Sequence, residues 1–183
     1  MVRDAGTGSV HASLAAAVSA VRGGGTLVLV GTCTGLTTIA KRVTLVGRRT
    51  TAAGDPTLNG GGAGTTLVVG PRGRVVLRGL TVTGGDGSDG GGIRNRGRLT
   101  LIDTLVTGNL AESGGGILND GTIILAGRSR IAGNEASSTG GGLESGSATR
   151  DPIAILRDRA AIVGNTADRK STRLNPVTWP YLV

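Results

Sequence analysis

The sequence predicts an all-β parallel solenoid, and three observations predict it. The first is a glycine triplet followed by an aliphatic residue, which returns as Gly90-Gly91-Gly92-Ile93, Gly114-Gly115-Gly116-Ile117 and Gly140-Gly141-Gly142-Leu143, 24 and then 26 residues apart. The second is an apolar-Xaa-Gly-Asn step at Gly108-Asn109, Gly133-Asn134 and Gly164-Asn165, with Gly84-Gly85 at the same place one repeat earlier. The third is composition: 35 glycines and 38% hydrophobic residues, but no Phe, one Trp and one Tyr. A core filled by Val, Leu, Ile and Ala suits stacked flat layers better than a sphere. The glycines lack a three-residue period and alternate with aliphatic runs, so they read as corners.

Residues 1–9 read as a disordered or truncated leader. No signal-peptide pattern opens the chain, because Met1-Val2-Arg3-Asp4 leads straight into a glycine-rich stretch. Residues 10–21 form an amphipathic pattern with Ser9 as N-cap, Leu14, Val18 and Val21 on one face, and Gly23-Gly24-Gly25 as the stop. A helix here covers the open apolar end of the stack. The solenoid itself is expected over residues 10–167.

Short β-branched runs follow at residues 26–30, 36–39, 43–46, 67–69, 75–77 and 80–82. Gly31-Thr32-Cys33-Thr34-Gly35, Asn59-Gly60-Gly61-Gly62 and Pro71-Arg72-Gly73 read as the turns between them. From there the repeats align. Leu77, Leu101, Leu125 and Leu156 share one position, Val82, Val106, Ile131 and Ile162 a second, and Ile93, Ile117 and Leu143 a third. Stacked at a strand spacing of about 4.8 Å, each set makes an aliphatic ladder. Asn109, Asn134 and Asn165 make a polar ladder, in which each amide bonds the next and the asparagine accepts a left-handed corner. Asn95 and Asn119 make a shorter one that ends at Ser145.

Formal charge is +8, nearly all from arginine, with Lys41 and Lys170 the only lysines. The arginines read as scattered over a solvated face, with no aromatic rings among them to stack on bases, so nucleic acid is not an expected partner. Cys33 stands alone, which excludes an internal disulfide framework and points to a small buried hydrophobe. No apolar run is longer than a strand, so no membrane span is expected.

Residues 168–183 break the pattern and carry both aromatics, Trp179 and Tyr181. The stretch Asp168-Arg169-Lys170-Ser171-Thr172-Arg173-Leu174-Asn175 resembles the translated start of a common short-read sequencing adapter, and is read as a non-native tail. Without residues 168–183 the chain keeps 17 basic and 11 acidic residues.

Gly-Gly-Gly-Ile-Xaa-Asn, apolar-Xaa-Gly-Asn, the leading helix and the Gly31–Gly35 segment together resemble the right-handed parallel β-helix proteins of the pectate-lyase-like superfamily. Within it the chain is most similar to bacterial surface and secreted repeat proteins related to the polymorphic outer-membrane proteins. The resemblance implies a right-handed parallel β-helix solenoid with a short N-terminal capping helix, and a secreted or cell-surface location. Its functions are diverse, so activity has to be argued from residues.

The enzymatic marks of that superfamily are weak here. Galacturonan hydrolases use clustered aspartates, a histidine and an Arg-Xaa-Lys element; this chain has no Asp-Asp pair, and its one histidine, His11, falls in the expected helix. Pectate lyases use calcium on stacked carboxylates; Asp103 and Asp158 share a position, but the repeat between them offers Gly127 or Arg128. Gly84-Gly85-Asp86-Gly87-Ser88-Asp89 matches the first six positions of a calcium nonapeptide repeat, yet Gly91 replaces the large aliphatic residue that repeat requires. Asp86 and Asp89 are therefore weak calcium candidates in a solvated loop, and no cofactor is expected. The expectation is a non-catalytic structural or adhesive module whose partners are extracellular glycans or surface proteins. The alternative is the N-terminal scaffold of a polysaccharide lyase or glycoside hydrolase.

Overall fold

The computed structural model describes residues 1–146 and 152–168. Its strands are only two to six residues long, too short to be stable as isolated ribbons. They become stable by stacking, because each coil of chain lies in register on the one before it and buries the inward-facing residues of most strands. The result is a parallel β-solenoid.

Four sheets wrap the stack. The first face runs Val10–His11, Val2–Asp4, Thr26–Leu29, Arg42–Gly47, Arg74–Arg78, Arg98–Ile102, Thr122–Ala126, Ile153–Leu156. The second runs Thr32–Thr34, Thr57–Asn59, Thr81–Thr83, Leu105–Val106, Arg130–Ala132, Ala161–Val163. The third holds Asp86–Asp89, Leu110–Ser113, Glu135–Thr139 and Thr166–Ala167, and the fourth holds Thr37–Ile39, Leu67–Val69, Ile93–Asn95, Ile117–Asn119 and Leu143–Ser145. From Thr26–Leu29 onward every pairing in the four sheets is parallel.

Thr32–Thr34, expected in a turn, is the first strand of the second face, and Asp86–Asp89, expected in a solvated loop, is the first strand of the third. Large apolar residues announce a strand, and this face turns only small ones inward. Gly87, Ala111, Ala136 and Ala167 stand in register, and Ala111 and Ala136 are buried.

The core is a set of continuous ladders. On the first face Leu27, Leu45, Leu77, Leu101, Leu125 and Leu156 are successive partners. On the second, Cys33, Leu58, Val82, Val106, Ile131 and Ile162 follow one another. On the fourth, Leu67, Ile93, Ile117 and Leu143 do the same. Leu77, Leu101, Leu125, Val82, Val106, Ile93 and Ile117 are all fully buried. Each such side chain contributes about 1.5–3 kcal/mol of transfer free energy. Cys33, expected to be buried, is half-buried at the end of its ladder.

The N-terminal end departs from expectation in detail. Residues 1–9 carry structure of their own: β1 (Val2–Asp4) lies antiparallel on Thr26–Leu29, with Val2 fully buried. β2 (Val10–His11) lies antiparallel on β1, which takes His11 out of the helix. Helix α1 therefore spans Leu14–Ala20, and Ser13, not Ser9, is its N-cap, accepting from the Ala16 amide at 3.1 Å. Leu14, Ala17 and Val18 are its buried face, packed on β1, β2 and Thr37–Ile39. Lys41 Nζ donates to the carbonyls of Ser19 and Val21 at 3.3 and 2.6 Å, closing the helix C-terminus with a cation. Apart from Asp168, residues 168–183 lie outside the described residues; the Asp168 amide still donates to Ala136 O at 3.3 Å.

Candidate functional site

The polar ladders are built from one repeated geometry. Asn109 and Asn134 are buried. Asn109 Nδ2 donates to Asn134 Oδ1, and Asn134 Nδ2 to Asn165 Oδ1, both at 2.9 Å. The same oxygens accept the backbone amides of Asn109 and Asn134, and Asn109 Oδ1 accepts the Gly85 amide. Each carboxamide also donates to a carbonyl of the preceding coil, as Asn134 does to Val106 O at 3.0 Å. The left-handed corner belongs to the residue before: Gly84, Gly108, Gly133 and Gly164 have φ of 60–65°, and the asparagines do not. On the fourth face Asn95 Nδ2 donates to Asn119 Oδ1 at 2.7 Å, and Asn119 Nδ2 to Ser145 Oγ at 3.1 Å. These side chains spend their hydrogen bonds inside the stack and join one coil to the next.

The acidic candidates are not brought together. Asp86 is exposed on the third face, whereas the Asp89 carboxylate is held by the Arg94 guanidinium. Asp103 and Asp158 take left-handed φ of 48° and 59° at the corner where Gly127 has 64°. Their carboxylates accept backbone amides of the coil beside them, Arg128 N at 2.9 Å and Gly127 N at 2.8 Å. They are corner braces. Among the described residues no group of three or more His, Cys, Asp or Glu is arranged to hold a metal ion.

The structure does gather arginines. Arg42, Arg74 and Arg98 open three successive strands of the first face and are cross-strand partners, all exposed. Arg72 and Arg96 stand in the turns two residues before Arg74 and Arg98. Arg72, Arg74, Arg96 and Arg98 line a groove of about 640 Å³ along the corner between the fourth and first faces. Asp120 and Thr122 close it at the next coil. Asp120 is buried, its Oδ2 lies 3.7 Å from the Arg94 guanidinium, and its Oδ1 has no partner. Among the described residues no carboxylate lies within ion-pair distance of Arg42, Arg72, Arg74, Arg96 or Arg98. The expectation of a solvated face thus holds for these five arginines, but they are gathered at one corner and not scattered. The 24-residue spacing of Arg72 to Arg96 and of Arg74 to Arg98, equal to the repeat, was the available signal.

Across the coil, the third face is acidic. Asp86, Glu112 and Glu135 surround a hollow of about 380 Å³ there. Comparison with protein-family models, curated proteins and solved structures finds no match to this chain.

Proposed function

We propose that this chain is a non-catalytic structural or adhesive module of a secreted or cell-surface bacterial protein, wound as a right-handed parallel β-helix of the pectate-lyase-like kind. The continuous cross-coil bonding of Asn109, Asn134 and Asn165 carries the reading. Side chains committed in this way stiffen a rod that spaces or presents a surface. Right-handed winding is supported by the near-universal hand of parallel crossover connections within a sheet. The pectate-lyase-like assignment and the surface location rest on the Gly-Gly-Gly-Ile and Gly-Asn motifs.

The test is to incubate the purified chain with acidic and neutral polysaccharides and follow both unsaturated products and new reducing ends. No release above buffer is expected. Release of either product would replace the module reading with the lyase or hydrolase one.

A further inference from the structure

We propose that the arginine groove at the corner of the fourth and first faces binds a linear acidic polysaccharide, one bearing sulfate or carboxylate groups along its length. The proposal rests on the adhesive reading and names its ligand. Like charges in register on neighbouring strands repel, and a fold gains nothing from placing Arg42, Arg74 and Arg98 as direct partners. Repulsion of this kind is relieved when an anion sits along the row. Guanidinium groups present paired donors that match sulfate and carboxylate oxygens two at a time.

The row repeats at the strand spacing of about 4.8 Å, a length comparable to one sugar of a pyranoside chain. Arg72 and Arg96 double the row on its fourth-face side, so the groove offers two guanidinium groups per coil over two coils. Nucleic acid fits less well, because no aromatic side chain among the described residues is there to stack on a base. The acidic third face offers a second copy of the chain as a rival occupant, but it presents only Asp86, Glu112 and Glu135, interrupted by Leu110.

The experiment measures binding of the full chain to immobilised heparin and to a polyuronate, with neutral dextran as control, across a salt series. Arg74→Gln/Arg98→Gln should lower affinity for at least one of the two polyanions by about tenfold or more, and flatten its salt dependence. Arg130→Gln/Arg159→Gln, which removes the same charge from exposed positions outside the groove, should change it by less than about twofold. Asp120→Asn, which removes the groove's one carboxylate, should tighten binding. Melting temperatures of all variants show that the fold is retained.

Equal losses in the groove and control variants would overturn the proposal, leaving only non-specific charge attraction. So would a DNA duplex bound more tightly than either polysaccharide through the same arginines. A salt-sensitive oligomer that the groove variant dissolves, with no polysaccharide bound, would assign the groove to a second copy. Release of cleavage products would remove the module reading without touching the groove's arginine dependence, so the two can fail separately.

Discussion

Asp89 and Arg94 close an ion pair over the Gly90-Gly91-Gly92 corner, and the two coils that follow carry other side chains there. Ser113 and Leu118 stand at those positions in one, Thr139 and Glu144 in the next. Thr139 Oγ1 donates to Glu144 Oε2. One backbone corner thus carries an ion pair in one coil and a hydrogen bond two coils on, while between them the Ser113 hydroxyl pairs with the Thr139 hydroxyl at 3.2 Å and Leu118 is buried.

The ion pair should be partly exchangeable for the residues of the next coil. Arg94→Leu alone strands Asp89 and Asp120 and should cost about 1 kcal/mol, because the pair is partly exposed. Asp89→Ser/Arg94→Leu relieves Asp89 but still leaves Asp120 without its guanidinium, and should recover about half of that loss. Urea unfolding of the two single variants and the double variant reads the coupling. A double variant no more stable than Arg94→Leu would show that the pair is not interchangeable.

Asn134→Ala removes the middle rung of the polar ladder. The Asn109 amide and side chain, and the Asn165 oxygen, lose partners inside the stack. A loss of about 2–3 kcal/mol is expected from buried groups left unpaired. An unchanged melting temperature would remove the ladder as a source of stability.

Gly115→Ala should destabilise by about 2–3 kcal/mol, since overpacking of a tight site forces the backbone apart. A Cβ there would overlap the Glu135 carbonyl of the adjacent coil, as it would at Gly91 against Leu110 and at Gly141 against Thr166. Gly54→Ala is the contrast: no atom lies near its Cβ position, but its φ is 68°. Its cost is local backbone strain of about 1 kcal/mol. Equal effects of the two variants would show that coil contact is not what Gly115 provides.

Asp4 gives the fold a dependence on acid. The Gly6 amide donates to its Oδ1 at 2.8 Å and holds the carboxyl below its ordinary value; the Thr7 amide and hydroxyl and the His11 charge act the same way, and burial opposes them. A carboxyl lowered in the folded state contributes stability above the unfolded value of about 3.9. That contribution disappears as pH falls through the lowered folded value. Asp4→Asn should therefore flatten the stability profile below about pH 4 and leave its shape near neutrality unchanged. A profile identical to the parent's in acid would show that Asp4 contributes nothing.

The chain's repeat alone determined that it stacks in parallel coils. A repeat of 24 to 25 residues places Leu77 under Leu101 and Asn109 under Asn134 whatever the corners do, because neighbouring coils must present like residues to share a face. The glycine triplet was legible for the same reason. Only the tertiary structure decided the third face, since Gly87, Ala111 and Ala136 are too small to leave an apolar signature, and Ala111 and Ala136 are buried only by the stacking of the coils. It alone gave β1 and β2 their antiparallel places, because a strand that caps a stack pairs outside the repeat and leaves no periodic mark. The arginine groove also needed three dimensions. Charge scattered along a sequence becomes a row only when coils of unequal length, such as those that carry Arg42 and Arg74, are brought into register by the ladders inside them.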